Sequence, residues 1–244
     1  MSLSKNNLKL ITSLQQKKYR QKHKLFVAEG IKVVNELLKS SVKTSHIFTS
    51  DQAFKVTENV TVTVISEKEL QKISTLKNPN KVLGLFEIPD EKEINENDFI
   101  VALDEINDPG NLGTIIRLCD WFGVTELVCS KNTVDCYNQK VVQSTMGSLT
   151  RVNISYVNLP DFLQKTQLPV YTADMDGSNV YKTALPEKAV LIMGNEANGI
   201  SKEISAIINH NLTIPRFGKT QETESLNVAT ATAILLSEFK RGLE

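Results

Sequence analysis

From Phe99 onward the sequence alternates short apolar segments with longer amphipathic ones, and this alternation restricts the fold more than any other feature. Several apolar segments are apolar throughout, which is typical of strands in a parallel sheet covered on both faces. Strands that alternate with helices indicate an α/β fold with a mostly parallel sheet, whose ligands bind at the carboxyl ends of the strands. The predicted strands are 99–103, 126–130, 152–156, 170–173, 189–193 and 212–214, and the predicted helices are 112–122, 138–146, 201–208 and the segment after Ser225.

The first 88 residues show a smaller pattern of helices and strands. Ser66 and Glu69 form a capping-box motif, which predicts a helix directly after it. The acidic segment 89–98 has little to bury and is interpreted as a linker. We therefore predict a small α/β domain at 1–88, a linker at 89–98 and a second domain at 99–244. Within the first domain the predicted helix after Gly30 carries Ile31, Val34, Leu37 and Leu38, and the predicted strands are 45–49, 61–65 and 81–88.

The charge of the chain is balanced, with 28 basic and 28 acidic residues, so no overall field draws it to nucleic acid or to a membrane. A local basic cluster nevertheless surrounds Tyr19. Such a cluster can bind RNA phosphates while the tyrosine stacks on a base, although a solvated run of charge explains the same pattern equally well. The cluster consists of Lys17, Lys18, Arg20, Lys22 and Lys24.

The sequence contains no apolar segment long enough to cross a bilayer, and residues 1–10 lack the apolar core of a signal peptide. We therefore expect a cytoplasmic protein without a membrane partner. Cys119, Cys129 and Cys136 lack Cys-x-x-Cys spacing, and only 3 histidines accompany them. We expect buried thiols and no metal site.

The first polar segment of interest follows the predicted strand 99–103. A Pro-Gly turn precedes Asn111, which is predicted to cap the next helix. Arg117 lies in the second turn of that helix. Two interpretations of Arg117 remain open at this point: a functional cation at a strand end, or a structural arginine paired with Asp104 or Asp120.

The second segment runs from Gly194 to Ile200 and contains Glu196 between glycines. Its main chain can hold an uncharged heterocycle or a ribose, although an ordinary strand-to-helix turn has the same composition. It is not a P-loop, because no lysine and hydroxyl pair follows. The Gly-x-Gly-x-x-Gly fingerprint of dinucleotide-binding folds is also absent.

The third segment leads from Ile214-Pro215 through a polar run to Ser225, the predicted N-cap of the last helix. Small residues crowd the first turns of this helix, so another backbone or a ligand can approach closely. Ser225 and Asn227 place polar groups in that space. For this segment alone, a capped amphipathic helix packed on a sheet is the simpler interpretation.

The three segments contain three motifs in a fixed order. These are Asn111 with Arg117 six residues later and then Phe122-Gly123, Gly194-x-Glu196-x-x-Gly199 followed by Ile200, and Ile214-Pro215 ahead of Ser225-Leu226-Asn227-Val228. In this order they resemble the SpoU-type, or TrmH-like, 2′-O-ribose RNA methyltransferases of the SPOUT class, over residues 99–241. Through residues 26–30, the first domain resembles more loosely the ribosomal-protein-like substrate-binding domain of the rRNA-modifying members.

The resemblance implies a SPOUT catalytic domain with a deep trefoil knot, S-adenosylmethionine as cofactor and assembly as a homodimer. It also implies an RNA substrate, with rRNA favoured over tRNA by the first domain. Main-chain groups at Gly194, Ile214 and Leu226 are expected to hold the adenosine part of the cofactor. The expected catalytic residues are Arg117, Asn111, Glu196, Ser225 and Asn227. Of these, Glu196, Ser225 and Asn227 are expected to orient Arg117 and the substrate ribose, and Asn111 is expected to anchor the first loop beside them. The basic cluster around Tyr19 supplies Lys17, Lys18 and Arg20 as the expected RNA ligands.

The role of Arg117 follows less directly from the resemblance. The family assigns its counterpart as a base activated through the RNA phosphate, but a guanidinium stays protonated under nearly all protein conditions. We expect Arg117 to bind the phosphate and to stabilise the developing oxyanion. Two departures from the family pattern affect the lip of the cofactor site: Arg216 stands where methionine is common, and the loop from Gly218 to Ser225 is longer than usual. The apparent extra residues are Gln221, Glu222 and Thr223.

Three alternative functions are compatible with parts of this pattern. A tRNA 2′-O-methyltransferase would share the same motifs. A catalytically silent RNA-binding protein of the same fold would retain RNA without binding the cofactor. A nicotinamide-dependent oxidoreductase is the least favoured, because the glycine fingerprint is missing after Leu103.

Overall fold

The structure is a computed structural model that describes residues 2–56, 60–208, 210–218, 220 and 225–242. The chain forms two compact units. The first unit comprises Met1–Glu91 and Asp135–Thr150, and the second comprises Lys92–Val134 and Arg151–Glu244. In the described ranges no helix is long and apolar enough to span a bilayer.

The secondary structure alternates along most of the chain. The helices are α1 (Lys5–Ser13), α2 (Lys17–His23), α3 (Ile31–Leu38), α4 (Glu67–Ile73), α5 (Pro109–Trp121), α6 (Gln139–Thr145), α7 (Leu159–Lys165), α8 (Lys202–Ser205) and α9 (Val228–Lys240). The strands are β1 (Leu25–Glu29), β2 (Thr44–Thr49), β3 (Val62–Val64), β4 (Val82–Glu87), β5 (Ile100–Leu103), β6 (Glu126–Ser130), β7 (Asn153–Val157), β8 (Val170–Asn179), β9 (Val190–Met193) and β10 (Asn211–Thr213). Short 3-10 turns cover Ser148–Thr150 and Val180–Lys182.

The first unit is built on a four-stranded sheet in the order β1-β4-β2-β3. β4 pairs antiparallel with β1 and β2, and β2 pairs parallel with β3. Successive side chains of β1 enter different apolar clusters, since Val27 packs with Ile11 of α1 whereas Phe26 packs with Val34 of α3. The predicted capping box is confirmed: Ser66 caps α4, and the Glu69 carboxylate accepts from the Ser66 N–H at 2.9 Å.

Residues 135–150 complete the first unit although they follow β6 of the second. Val142 of α6 is buried in the same apolar cluster as Phe26, and the Tyr137 ring lies 4.9 Å from the Phe26 ring. Burial raises the pKa of the Tyr137 hydroxyl. The sequence-based division, with all of 99–244 in one domain, differs here. The apolar pattern of α6 does not indicate which sheet it covers.

The second unit contains a six-stranded sheet in the order β10-β8-β9-β5-β6-β7, and every neighbouring pair is parallel. The predicted α/β fold with a mostly parallel sheet is confirmed. Ile100 of β5 packs with Leu159 of α7 in one apolar cluster, whereas the Phe99 ring lies 4.8 Å from the Phe239 ring of α9. Helices thus bury both faces of the central strands, which explains why the strands are apolar throughout.

The helix starts in this unit differ from two sequence predictions. Asp108, not Asn111, caps α5: its Oδ1 accepts from the Asn111 N–H at 2.9 Å, and Pro109 takes the first helical position. Proline is well suited there because its missing N–H would have no helical partner. Similarly, Asn227, not Ser225, caps α9. The predicted strand 170–173 continues to Asn179 in β8, and the predicted helix 201–208 shortens to α8.

Candidate active site

Three of the predicted catalytic residues are joined by hydrogen bonds in the second unit. Asn227 Nδ2 donates to Asn111 Oδ1 at 2.9 Å, and Asn111 Nδ2 donates to Glu196 Oε1 at 2.6 Å. The residues belong to the start of α9, the first turn of α5 and the loop after β9. The fold therefore connects side chains that are 85 and 116 positions apart in the sequence.

The direction of this hydrogen-bond chain is fixed by the helix cap. Asn227 Oδ1 accepts from the N–H groups of Ala229 and Thr230 at 3.0 and 3.2 Å. Since the oxygen of this amide faces main-chain donors, its nitrogen must face Asn111. Asn111 then presents its own nitrogen to Glu196, whose ionised carboxylate can only accept. The hydrogen bond from Asn111 therefore fixes the position of the Glu196 carboxylate and stabilises its negative charge.

The loop that carries Glu196 is a tight backbone structure. Asn195 and Gly199 exchange two main-chain hydrogen bonds of 2.9 Å, and Gly199 has a φ of 66°. A Cβ on Gly194 would lie 2.4 Å from the Gly199 carbonyl carbon and 2.6 Å from the Ile200 nitrogen. No side chain fits at Gly194. The two glycines permit the turn that holds Glu196 beside Asn111.

Two residues that the sequence analysis did not predict as site residues anchor this loop to the sheet. Asn195 Nδ2 donates to the Glu105 carbonyl at 2.7 Å, while its Oδ1 accepts from the N–H groups of Ala197 and Asn198. Asp104, with 3% of its surface exposed, accepts from the Ser201 N–H at 2.7 Å. Their positions gave a signal, since Asn195 lies inside the second motif and Asp104 directly follows a predicted strand.

Arg117 extends from α5 into solvent and makes no hydrogen bond or ion pair with any residue that the structure describes. The carboxylates considered as its structural partners are bonded elsewhere. Asp120 accepts from Arg151 Nε at 2.9 Å, and Asp104 accepts from Ser201. The interpretation of Arg117 as a structural arginine paired with Asp104 or Asp120 is therefore wrong, and in the described part of the chain no acceptor occupies the donors of its guanidinium.

Ser225 and Arg117 are not hydrogen-bonded to the Asn111, Glu196 and Asn227 chain within the described residues. Ser225 is exposed immediately ahead of the α9 cap. The prediction that Glu196, Ser225 and Asn227 orient Arg117 has no direct contact to support it. The three connected residues instead orient one another.

The predicted cofactor residues lie at the ends of β9, β10 and the segment before α9. Gly194 and Ile214 are half-buried, and Leu226 is exposed by 48%. Their chemistry fits an adenosine, because an exposed leucine and an isoleucine can cover the faces of a base while main-chain groups bind its polar edge. The predicted extra residues Gln221, Glu222 and Thr223 lie outside the described residues. In the described part of the chain, no cluster of His, Cys, Asp or Glu has the grouping of a metal site.

The predicted RNA-binding cluster is divided by the structure. Lys17 and Lys18 are exposed on α2, and Lys18 Nζ lies 4.9 Å from the Tyr19 ring centroid. Arg20, by contrast, is 3% exposed and donates to the carbonyls of residues 14 and 15 and to the Asp135 carboxylate. Arg20 is therefore a structural residue of the first unit, and its predicted RNA contact is wrong.

The fold and this geometry define an α/β protein with a polar site aligned at the carboxyl edge of a parallel sheet, of the kind that binds a nucleotide-like cofactor. Sequence comparison identifies the family. Residues 98–237 match the SpoU rRNA Methylase family, and residues 5–84 match the MRM3-like substrate binding domain. The chain belongs to the SpoU rRNA methylase family, and the resemblance of its three motifs is confirmed.

Similar proteins cover nearly the whole chain. The 23S rRNA (guanosine(2553)-2′-O)-methyltransferase RlmP of Bacillus subtilis is 30% identical over 93% of this chain and 93% of its own length. A TrmH-family RNA methyltransferase structure from Porphyromonas gingivalis is 37% identical, with a TM-score of 0.88 over 98% of each chain. The AdoMet-bound rRNA methyltransferase of Sinorhizobium meliloti is 32% identical, with a TM-score of 0.86 over 100% of this chain and 98% of its own.

Proposed function

We propose that this protein transfers the methyl group of S-adenosylmethionine to a ribose 2′-hydroxyl of RNA, with rRNA as its substrate. The hydrogen-bonded chain of Asn227, Asn111 and Glu196, together with the exposed Arg117 of α5, carries this proposal. The family and the rRNA 2′-O-methyltransferase among the relatives support it. The AdoMet-bound relative supports the choice of cofactor.

In this reaction the protein aligns the two reactants and stabilises the charges that develop, and no side chain forms a covalent bond to the substrate. The bound cofactor supplies a sulfonium methyl; the 2′ oxygen forms the new bond to the methyl carbon as the carbon–sulfur bond breaks and its electrons go to sulfur. Holding two reactants in line can remove about 7–11 kcal/mol of barrier. In this proposal Gly194, Ile214 and Leu226 hold the adenosine part, and Ser225 lies at the entrance beside them.

The ribose hydroxyl must also lose its proton, which passes to solvent water as the bond to the methyl carbon forms. Glu196 is suited to orient this hydroxyl, because Asn111 occupies only its Oε1 and leaves Oε2 without a partner among the described residues. Arg117 binds the neighbouring phosphate and stabilises the developing oxyanion. A role of Arg117 as the base would require a strong perturbation of a guanidinium.

The finer assembly of the protein is also part of the proposal. The C-terminal segment forms the trefoil knot of the SPOUT fold, the protein is a cytoplasmic homodimer, and residues 1–88 bind the RNA substrate. Family membership supports these assignments, and the match of residues 5–84 supports the last one. In such a dimer, the exposed Lys17 and Lys18 of one subunit can serve the catalytic centre of the other, so that a chain of zero net charge still presents a positive surface to RNA.

Transfer of labelled methyl to RNA tests the proposal. Total rRNA and tRNA from cells lacking this protein are incubated separately with wild type and with Arg117→Ala, and the RNA is digested to nucleosides. We expect label on the 2′ oxygen in the rRNA pool alone, abolished in the variant. Label confined to tRNA would assign the alternative substrate. Failure to bind the cofactor would overturn the proposal in favour of a silent RNA-binding protein.

A further inference from the structure

The first unit contains a cleft of about 400 Å³ that the catalytic proposal does not use. It lies where the start of α6 faces the end of β1, the turn after α1 and the segment after α4. All its lining residues belong to the first unit. The polar ones include Gln15, Thr75, Asn138, Gln139, Gln143 and Ser144.

Part of the cleft wall is a fixed structural network. The buried Glu29 carboxylate accepts from the Thr75 N–H at 3.0 Å, from the Thr75 hydroxyl at 2.8 Å and from the Ser74 hydroxyl. Asn138 Oδ1 accepts from the Lys140 N–H at 2.9 Å as the cap of α6. Because these polar groups already have hydrogen-bond partners within the protein, their role is to fix the shape of the cleft wall.

The side chains of the two glutamines of α6, in contrast, have no hydrogen-bond partner among the described residues. Gln139 Nε2 is a buried donor, and no acceptor among the described residues lies within hydrogen-bonding distance of it. The half-buried side chain of Gln143, which also lines the cleft, has no hydrogen bond to the described residues either. Buried amide donors are almost always paired, because an unpaired one is costly. The cleft wall therefore contains two amide side chains that the described residues leave without a hydrogen-bond partner, a buried one at Gln139 and a half-buried one at Gln143.

The chemistry of the lining selects one class of ligand. Carboxamides pair with the edges of nucleobases, which carry donors and acceptors in one plane. A phosphate is a poor match, since Lys140 is the one cation of the lining and Glu29 adds a negative charge. A volume of about 400 Å³ lies within the range of small-ligand sites and has room for a base with its ribose. Sequence-specific RNA recognition uses such unpaired, splayed bases.

We propose that this cleft binds an unpaired nucleobase of the RNA substrate, away from the nucleotide that is methylated. The inference rests on the proposed function, because it assumes RNA as the substrate. Gln15 of the cleft lies two positions before Lys17 at the start of α2. RNA phosphates on Lys17 and Lys18 can therefore continue into a base held by Gln139 and Gln143.

Conservative removal of the amides tests the cleft. Binding of single-stranded oligoribonucleotides of each base type to the full chain is measured for wild type, Gln139→Met and Gln143→Met. The matched control is Gln71→Met, the same change on an exposed residue of α4 outside the cleft. We expect both cleft variants to bind their preferred oligonucleotide about tenfold more weakly, with the control unchanged. The melting temperature of the Gln139→Met variant should be no lower than that of wild type, because the substitution removes a buried donor that has no partner among the described residues.

The outcomes separate this inference from the proposed function, since methyl transfer to rRNA is measured in parallel. Equal RNA affinity of wild type and both cleft variants would overturn the inference alone, even if methyl transfer is intact. If wild type transfers no methyl group but the cleft variants still bind the oligonucleotides more weakly than wild type, the inference about the cleft is supported and the proposed reaction is overturned. Wild type that binds none of the oligonucleotides would overturn the nucleobase assignment.

Discussion

At the scale of single residues, Asn227 serves the helix and the site with one carboxamide. Its oxygen caps α9 and its nitrogen begins the chain to Glu196. Serine is as good an N-cap as asparagine, but it has no amide nitrogen to donate. The two contributions of Asn227 can therefore be separated by substitution.

We expect Asn227→Ser to keep the stability of the protein and to lower methyl transfer at least about tenfold, because Asn111 loses the donor that sets its orientation. Asn227→Ala should lose activity and also about 0.5–2 kcal/mol of stability. Thermal unfolding and methyl transfer are measured together. The control is Asn158→Ser, the same change at the cap of α7, which should alter neither. Full activity of Asn227→Ser would show that the hydrogen-bond chain is not required.

Arg117 and Arg151 are both arginines of the second unit, but they differ in whether an acidic residue binds their guanidinium group. Arg117 has no partner among the described residues, whereas Arg151 binds Asp120. Lysine keeps the charge but loses the planar pair of donors that grips a phosphate. We expect Arg117→Lys to lower kcat/KM about tenfold or more at neutral pH without changing the melting temperature. Arg151→Lys is the matched control and should retain activity. Near-full activity of Arg117→Lys would contradict the phosphate-binding role.

At the scale of elements, the loop after β9 is positioned by main-chain packing. A Cβ on Gly194 would lie within 2.6 Å of the backbone of Gly199 and Ile200, and backbone atoms cannot yield as a flexible side chain can. Gly194→Ala should therefore displace the loop, break the bond between Asn111 and Glu196, and weaken cofactor binding at least about tenfold.

Gly123→Ala provides the control for Gly194→Ala. Gly123 has a φ of 68° and open space around the position of a Cβ. Alanine there costs about 1–2 kcal/mol of stability through backbone strain but moves no site residue. Calorimetric titration with S-adenosylmethionine should show normal affinity for this variant. Equal cofactor affinity of both alanine variants would refute the packing argument.

The elements could be predicted from the sequence to different degrees. The apolar strands of the second unit were predicted because their burial on both faces is a local pattern, and the capping box of Ser66 and Glu69 is a local hydrogen bond. Helix starts were less accurate where two capping residues compete, as Asp108 does with Asn111. The strand register that places Leu103 beside Met193 is a non-local property that no local pattern contains.

Only the site residues that belong to a sequence motif could be predicted. Asn111, Glu196 and Asn227 were predicted as a group, but their mutual hydrogen bonds depend on three strand ends meeting. Arg20 was misassigned because its spacing matches the neighbouring lysines, whereas its partner Asp135 lies 115 positions away. Burial of a charge by a distant segment leaves no trace in the local sequence.

At the scale of the whole molecule, residues 135–150 are the most consequential departure from a linear arrangement of domains. They supply Asp135 to the buried Arg20 and pack Val142 and Tyr137 against the cluster around Phe26. Losing the partner of a buried ion pair alone costs about 3–5 kcal/mol. This is comparable with the whole stability of a small domain, about 5–15 kcal/mol.

We therefore expect a fragment of residues 1–91 to lack a cooperative folding transition, because β1 and Arg20 lose the residues that cover them. The same fragment followed by a Gly/Ser linker and residues 135–150 should unfold cooperatively, since it restores the first unit. Near-ultraviolet circular dichroism with thermal melting distinguishes the two. If residues 1–91 alone melt as cooperatively and at the same temperature as the linked form, the first unit is complete without the returning segment. The cleft formed by Glu29, Gln139 and Gln143 would then be an addition to a self-sufficient domain.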